Sequence, residues 1–254
     1  MLFRSGISID LGFAYLPLAN GELIGFVDVP GHERFVRNML AGVCGIDYAL
    51  LVVAADDGAM PQTLEHLNIL NLLHVPRGAV VITKIDRVDE ARVRQVANDL
   101  SGLLANTPLA NAALMPVSAV SGAGISELRE LLKREATSAA TRASGEQHFR
   151  YAIDRAFSVA GSGTVVTGTV FNGKVSPGDK LVISPAGNEV RVRGIQVHGK
   201  AAQQAVAGQR CAINLTGTDL EAVSRGDWVL APAIHQPTQR IAGRVSVLAS
   251  ETQP

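Results

Sequence analysis

The sequence predicts two folded units in tandem: an α/β domain with a doubly wound parallel sheet, then an all-β barrel. Three observations predict this. Apolar, β-rich runs alternate with helical patterns over roughly the first 135 residues, which is the pattern of a parallel sheet covered on both faces. Beyond residue 148 the pattern changes to short strands set about 8–12 residues apart by turns rich in Gly and Pro, the spacing of a small antiparallel barrel. Between the two lies a stretch with no hydrophobic period, read as a linker.

The elements follow in order. Ile7–Leu18 and Glu22–Val29 read as two strands joined by a turn at Ala19-Asn20-Gly21. Glu33–Val43 reads as a helix, Tyr48–Ala54 as a fully buried strand, and Gln62–His74 as a second helix. Ala79–Thr83 is again apolar and β-branched, Asp89–Leu104 is helical, Ala113–Ser118 is a short strand, and Ile125–Arg134 is an amphipathic helix. Thr137–Glu146, rich in Ala, Ser, Thr and Gly, is the linker. Phe149–Leu230 supplies the barrel, with turns at Ser176-Pro177-Gly178-Asp179, Pro185-Ala186-Gly187-Asn188, Ala207-Gly208-Gln209 and Arg225-Gly226-Asp227. Arg240–Ala249 starts another strand, read as the opening of a third domain. The expected boundaries are 1–136, 137–148 (linker), 149–236 and 237–254.

Composition narrows the function classes. A chain of 254 residues has room for more than one core, since single domains usually run about 100–200 residues. At 47% hydrophobic and 18% charged residues it is a core-forming chain and not a disordered one. No apolar run reaches the ~20 residues of a membrane span, and no secretory signal pattern is present, so a cytoplasmic protein with no membrane partner is expected. Cys44 and Cys211, the only cysteines, fall in different predicted domains and read as reduced thiols. Lys plus Arg equals Asp plus Glu at 23 each, so any RNA contact must come from a local patch.

Three short motifs sit in loops at the carboxyl ends of predicted strands, where an open α/β sheet places its ligands. In D-V-P-G-H, Asp28 to His32, a carboxylate at a strand end can hold Mg²⁺ through water, and Gly31 lets a backbone N–H approach a terminal phosphate. In T-K-I-D, Thr83 to Asp86, the aspartate can accept two hydrogen bonds from a guanine edge, and the aliphatic stem of Lys84 can lie along the base plane. In P-V-S-A, Pro116 to Ala119, Ser118 and the backbone at Ala119 can complete a base pocket. Each motif alone is weak. Their order, with roughly 55 residues between the first two and 30 between the last two, makes them a set.

That set resembles the motifs of translational GTPases related to elongation factor Tu. So does L-L-V-V-A-A-D-D-G-A-M-P-Q-T-L-E-H, Leu50 to His66. A-F-S-V-A-G-S-G-T-V-V-T-G-T-V, Ala156 to Val170, is similar to the second-domain barrel of these factors. Within the group, I-D-L-G-F-A-Y, Ile9 to Tyr15, and the short connection from it to Asp28 resemble the selenocysteine-specific members. The resemblance covers about Gly6 to Leu248.

The resemblance implies GTP-dependent delivery of selenocysteyl-tRNA to the ribosome, with GTP/GDP and Mg²⁺ as ligands. Ser8 takes the place of the switch threonine that coordinates Mg²⁺, beside Asp28. Thr83 stands where relatives outside this subfamily carry asparagine. His32 corresponds to the water-orienting residue, while His66, His74, His148, His198 and His235 read as structural or solvated. Selenocysteine carries a selenol that is largely anionic at neutral pH, so its pocket calls for confined cationic donors. Arg155 and Arg210 fall where the family's selenol-binding arginines do, and Asp10 resembles an acidic residue of the same pocket.

One family feature is absent. No G-x-x-x-x-G-K-[ST] run, whose amides and lysine would cradle the β- and γ-phosphates, occurs in these 254 residues. The family carries it before the first switch, which is about where this chain begins, and Met1–Ser5 resembles nothing upstream in the family. By resemblance the corresponding strand lies mid-sheet, between the strands ending at Asp28 and Ala54. The expectation is therefore a chain truncated at both ends, whose first domain folds poorly and binds GTP weakly or not at all. The competing readings are a non-catalytic module binding a tRNA end, a general elongation factor Tu-like GTPase, and the GTP-hydrolysing subunit of a sulfate-activating enzyme. Arg210 and I-D-L-G-F-A-Y count against the last two. The family's mRNA-hairpin-reading region has no counterpart here, so no such contact is expected.

Overall fold

The computed structural model describes residues 11–243, apart from 20, 22, 37, 38, 41–45, 76, 141–146 and 162, and also residue 245. The chain divides into two compact units, Met1–Ala139 with Val245–Pro254, and Ala140–Arg244.

In the first unit β1 (Gly12–Pro17) and β2 (Leu23–Asp28) form an antiparallel hairpin, with Gly12 opposite Asp28 and Pro17 opposite Leu23. β3 (Ala49–Ala54), β4 (Gly78–Thr83) and β5 (Ala113–Pro116) form a separate parallel sheet in that order. α1 (Pro61–Leu72) connects β3 to β4, α2 (Glu90–Leu104) connects β4 to β5, and α3 (Ile125–Ala140) follows β5. Such β–α–β connections make the sheet parallel. α2 begins where the sequence provides a cap, because the Asp89 carboxylate accepts the Arg92 amide at 2.8 Å. The core gathers Leu51 and Val53 of β3, Val80 and Ile82 of β4, Leu67 and Leu70 of α1, and Val96, Leu100 and Leu104 of α2.

The expected strand at Tyr48–Ala54 is present but is not buried throughout. β3 lies at the edge of its sheet, and Val52 is 61% exposed. Among the described residues no strand pairs with that edge, and β2 belongs to a different sheet. The two strands expected to flank a central strand therefore do not meet.

Other differences lie at element ends. The last helix runs past Arg134 as far as Ala140. Glu135, Ala136, Ala139 and Ala140 are good helix formers, and no Gly or Pro interrupts them. The helix thus takes the start of the expected linker, from Thr137 to Ala140. In the expected helix Glu33–Val43 the described part opens as a 3₁₀ turn, Glu33–Phe35. Residues 240–243 form no strand, so the expected strand at Arg240–Ala249 does not begin there, and residues 246–249 lie outside the described residues.

The second unit is the barrel. β6 (Arg150–Val159), β7 (Gly163–Asn172), β9 (Lys180–Ser184), β10 (Asn188–Val197), β13 (Arg210–Thr216) and β14 (Trp228–Leu230) close in the order β10-β13-β7-β6-β14-β9, with β9 returning to β10. Between them, β8 (Lys174–Val175) pairs with β12 (Ala205–Val206), and β11 (Lys200–Ala202) extends the sheet beyond β10. Inward-facing Tyr151, Val166, Val170, Ile183, Ile213, Leu215 and Val229 fill it. Gly168 is required for closure: a Cβ there would lie 1.9 Å from the Ala152 carbonyl oxygen and 3.0 Å from the Tyr151 ring. No helix among the described residues is long and apolar enough to cross a membrane.

Candidate functional site

The three motifs lie where their spacing puts them, each at a strand's carboxyl end: Asp28 closes β2, Thr83 closes β4 and Pro116 closes β5. Two of them are joined. The parallel pairing of β4 and β5 sets Ile82 beside Pro116, and two amides carry the alignment into the loops, Val117 N–H to Ile82 O at 2.8 Å and Ile85 N–H to Val117 O at 3.4 Å.

Ser118 is fully buried. Its hydroxyl donates to Asp86 Oδ1 at 2.5 Å and accepts the amides of Val120 and Ser121 at 3.2 and 3.0 Å. Asp86 is exposed, and no described group donates to its second oxygen. Ala119 is exposed beside it. Gly124 lets this loop turn back on its strand: it has φ +71, and a Cβ would lie 2.1 Å from the Pro116 carbonyl oxygen. One serine thus aims the aspartate and holds the turn that follows it.

Lys84 adopts a left-handed backbone, φ 57. Its ammonium reaches Asp56 at 3.1 Å and Asp57 at 3.5 Å. The Lys84 hydrogen bond holds the Asp56 carboxyl below the usual carboxylate range, and the same bond raises the lysine. The Thr83 hydroxyl donates to the Val53 carbonyl at 3.4 Å, tying β4 to β3.

The D-V-P-G-H loop stands apart from this group. Asp28 is exposed, with Gly12 across the hairpin allowing its carboxylate to sit close over β1, 3.4 Å from where a Cβ would be. His32 Nδ1 accepts the Arg34 amide at 3.3 Å, which puts the neutral ring's proton on Nε2. His66, expected to be structural or solvated, is half-buried on α1 beside this loop. Its ring is 3.8 Å from the place of a Gly31 Cβ. Burial pushes its pKa down, against smaller upward pulls from Glu65 and from a hydrogen bond with the Gly31 backbone. Among the described residues no hydrogen bond or ion pair joins Asp28, Gly31 or His32 to Lys84, Asp86 or Ser118. Ser8, Asp10 and Cys44 lie outside the described residues.

Asp28 is a suitable oxygen donor for Mg²⁺, but it is not part of any group of three or more acidic, His or Cys side chains among the described residues. On the base side the fit to guanine is better, since an aimed carboxylate with an open oxygen is what its N–H edge needs.

On the barrel, Arg210 at the start of β13 makes a two-pronged ion pair with Asp154 of β6. Nε donates to Oδ2 at 2.9 Å, and an Nη to Oδ1 at 3.0 Å. The Thr167 hydroxyl donates to the same Oδ1 at 2.6 Å. Arg155, next to Asp154 on β6, is exposed. Sequence alone does not single out Asp154, although it adjoins Arg155 and is the one buried acidic group among the described residues. Beneath the pair lies Tyr151, fully buried, with its hydroxyl 2.9 Å from the Cys211 carbonyl and 3.2 Å from that of Val166.

Burial also pushes the Cys211 thiol from its ordinary 9.0 to about 12, only partly opposed by Arg210. A neutral thiol favoured by folding contributes stability that is complete below the unfolded pKa and is lost as pH rises towards the folded one. From neutral pH to 9 Cys211 is therefore expected to leave the barrel's urea midpoint unchanged, and between 9 and about 12 to lower it. Trp228, the only tryptophan and part of β14, reports it by fluorescence. A midpoint unchanged to about pH 11 contradicts the assigned burial.

Comparisons with known proteins agree with this layout. Residues 4–138 match the elongation factor Tu GTP-binding domain and residues 163–230 match elongation factor Tu domain 2. The selenocysteine-specific elongation factor of Escherichia coli is 47% identical over 240 residues, 94% of this chain and 38% of that protein. Its namesake from Methanocaldococcus jannaschii is 39% identical over 224 residues, 88% of this chain and 47% of that one. Among solved structures, a bacterial selenocysteine-specific elongation factor superposes with a TM-score of 0.83 at 39% identity, covering 90% of this chain and 39% of the other. Translation elongation factor SelB from Methanococcus maripaludis, in complex with the GTP analogue GPPNHP, gives 0.82 at 34% identity, covering 89% and 50%. The chain thus spans less than half the length of these two curated relatives.

Proposed function

Since the chain belongs to the family defined by the elongation factor Tu GTP-binding domain, which more than half of its residues match, we propose that it carries the nucleotide-reading core and the tRNA-binding barrel of a selenocysteine-specific translation elongation factor. The activity of the whole would be GTP-dependent delivery of selenocysteyl-tRNA to the ribosome in the cytoplasm. The observation that carries the guanine reading is Asp86, aimed by buried Ser118 with its second oxygen open. Lys84, Thr83 and Ala119 complete that side of the cleft.

GTP, when bound with Mg²⁺, supplies the phosphoryl bond whose hydrolysis times release. Asp28, with Ser8, would hold the ion, the Gly31 amide would face the terminal phosphate, and His32, protonated on Nε2, would orient the attacking water. On the barrel Arg210 of β13, with Arg155 of β6, would face the selenolate. The carboxylate of Asp154 sets the plane of the Arg210 guanidinium beforehand, so a fixed fork of donors meets the anion. The barrel sequence, residues 149–236, holds nine Lys and Arg against six Asp and Glu, a balance suited to an RNA end.

A second reading, a module that binds the tRNA end without using GTP, is favoured by one observation. Among the described residues the Asp28 hairpin shares no sheet with the base loops. Both readings place cargo recognition on the barrel, and one experiment tests it. The chain should protect the ester of selenocysteyl-tRNA from hydrolysis at least about tenfold better than seryl-tRNA with the same tRNA body, the value of one charge-assisted hydrogen bond. Equal protection of the two esters removes the cargo assignment.

A further inference from the structure

We propose that Asp56 is a positioning residue of the guanine pocket, holding the Lys84 ammonium so that the lysine's methylene stem forms a fixed wall for the base. The proposal rests on the reading of Thr83–Asp86 as the base loop and adds to it a residue outside all three motifs.

Lys84 is one of few non-glycine residues here with positive φ, a conformation that persists only where the surroundings hold it. Its backbone is tied by the Arg87 amide, which donates to the Lys84 carbonyl at 3.0 Å. Its side chain is tied by Asp56, whose two oxygens lie 3.1 and 3.3 Å from Nζ. A lysine on a half-exposed turn otherwise samples many rotamers, and a wall that must be ordered at each binding event weakens binding.

Asp56 can hold a lysine because it is itself held. From α2, Arg92 donates through Nε to the Ala55 carbonyl at 3.2 Å and through an Nη towards the Asp56 and Asp57 carbonyls at 3.5 Å each. Gly58 makes room for that guanidinium, since a Cβ there would lie 3.1 Å from it. The Ala55 amide also donates to the Thr83 carbonyl at 2.8 Å, so the turn and the base loop are one ladder step apart. The path from α2 through Arg92 and the turn to Asp56 and Lys84 is continuous. Arg87 also approaches the carboxylate, at 3.5 Å.

A merely structural ion pair at this exposure contributes little to stability, so the two roles separate by experiment. Guanosine and adenosine are titrated into the full 254-residue chain and into its D56N and D56E variants, with binding read by NMR shifts of the Lys84–Arg87 amides. Guanosine needs no phosphate cradle and probes the base side alone. D56N is expected to bind guanosine about five- to tenfold more weakly at an unchanged urea midpoint, with D56E recovering part of the loss. Unchanged guanosine affinity in D56N overturns the role of Asp56. So does a loss that tracks a lowered urea midpoint and is not rescued by D56E. If the wild-type chain shows no preference for guanosine over adenosine at about 10 mM, the guanine reading itself fails, and the role with it.

Discussion

Guanosine, GDP and GTP are expected to bind this chain within about threefold of one another, near the millimolar range, with no gain from Mg²⁺. The expectation is for these 254 residues alone, and it follows from how the proposed base and phosphate sides are supported. The base half is held by contacts internal to the chain: Ser118 to Asp86, Asp56 to Lys84, and the amides that lock both loops. The phosphate half would need several backbone amides and a lysine converging on the β- and γ-phosphates, and no run in the sequence supplies them. Each charge-assisted hydrogen bond is worth about 1.5–3 kcal/mol. Losing three costs about 5 kcal/mol or more, at least a thousandfold in affinity. Titration with a fluorescent GDP analogue decides it. Saturable binding below about 10 μM would mean that the chain grips phosphate by a route other than the missing run.

Much of this was legible in the sequence because the relevant signals are local. Each of the three motifs follows an apolar run, and each does end a strand. The Pro- and Gly-bearing turns of the barrel fall between its strands as read. What escaped depends on pairing across the chain. Tyr48–Ala54 is apolar at every position except its aromatic start, which reads as burial on both faces, but exposure at Val52 is decided by what lies beside the strand. Asp154 escaped for a related reason. Strict alternation from Tyr151 and Ile153 would turn Arg155 inward, but a bulge between Ile153 and Arg155 shifts the phase. Ala156 then packs against the core and Arg155 faces out. A bulge is a property of two strands, so one strand's pattern does not reveal it. Asp56 lies within a segment read only as family-like, because its partner is 28 residues away.

The Asp154–Arg210 pair carries the other large expected effect, on stability and on cargo choice together. The side chains of Arg210 and Asp154 are only 23% and 11% exposed, and the carboxylate also takes the Thr167 hydroxyl. Asp154→Ala removes the two-pronged carboxylate from a mostly buried cation, which costs about 3–5 kcal/mol when burial is complete and about 2–4 kcal/mol at this exposure. Arg210→Ala leaves the opposite charge behind and costs a similar amount. The double variant leaves neither charge stranded, so it should be less destabilised than the sum of the singles by at least about 1 kcal/mol, well beyond the scatter of independent sites, about 0.3–0.5 kcal/mol. Trp228 lies on the barrel, and its fluorescence in urea follows this unit alone. Additive losses would show that the two side chains do not act as a pair. The cargo readout separates fold from function: Arg210→Lys keeps the charge but not the two-pronged fork. It should leave the barrel more stable than Arg210→Ala does and still erase most of the preference for selenocysteyl-tRNA over seryl-tRNA. A lysine variant that discriminates as well as the wild type would leave only charge, and not the geometry imposed by Asp154, as the basis of recognition.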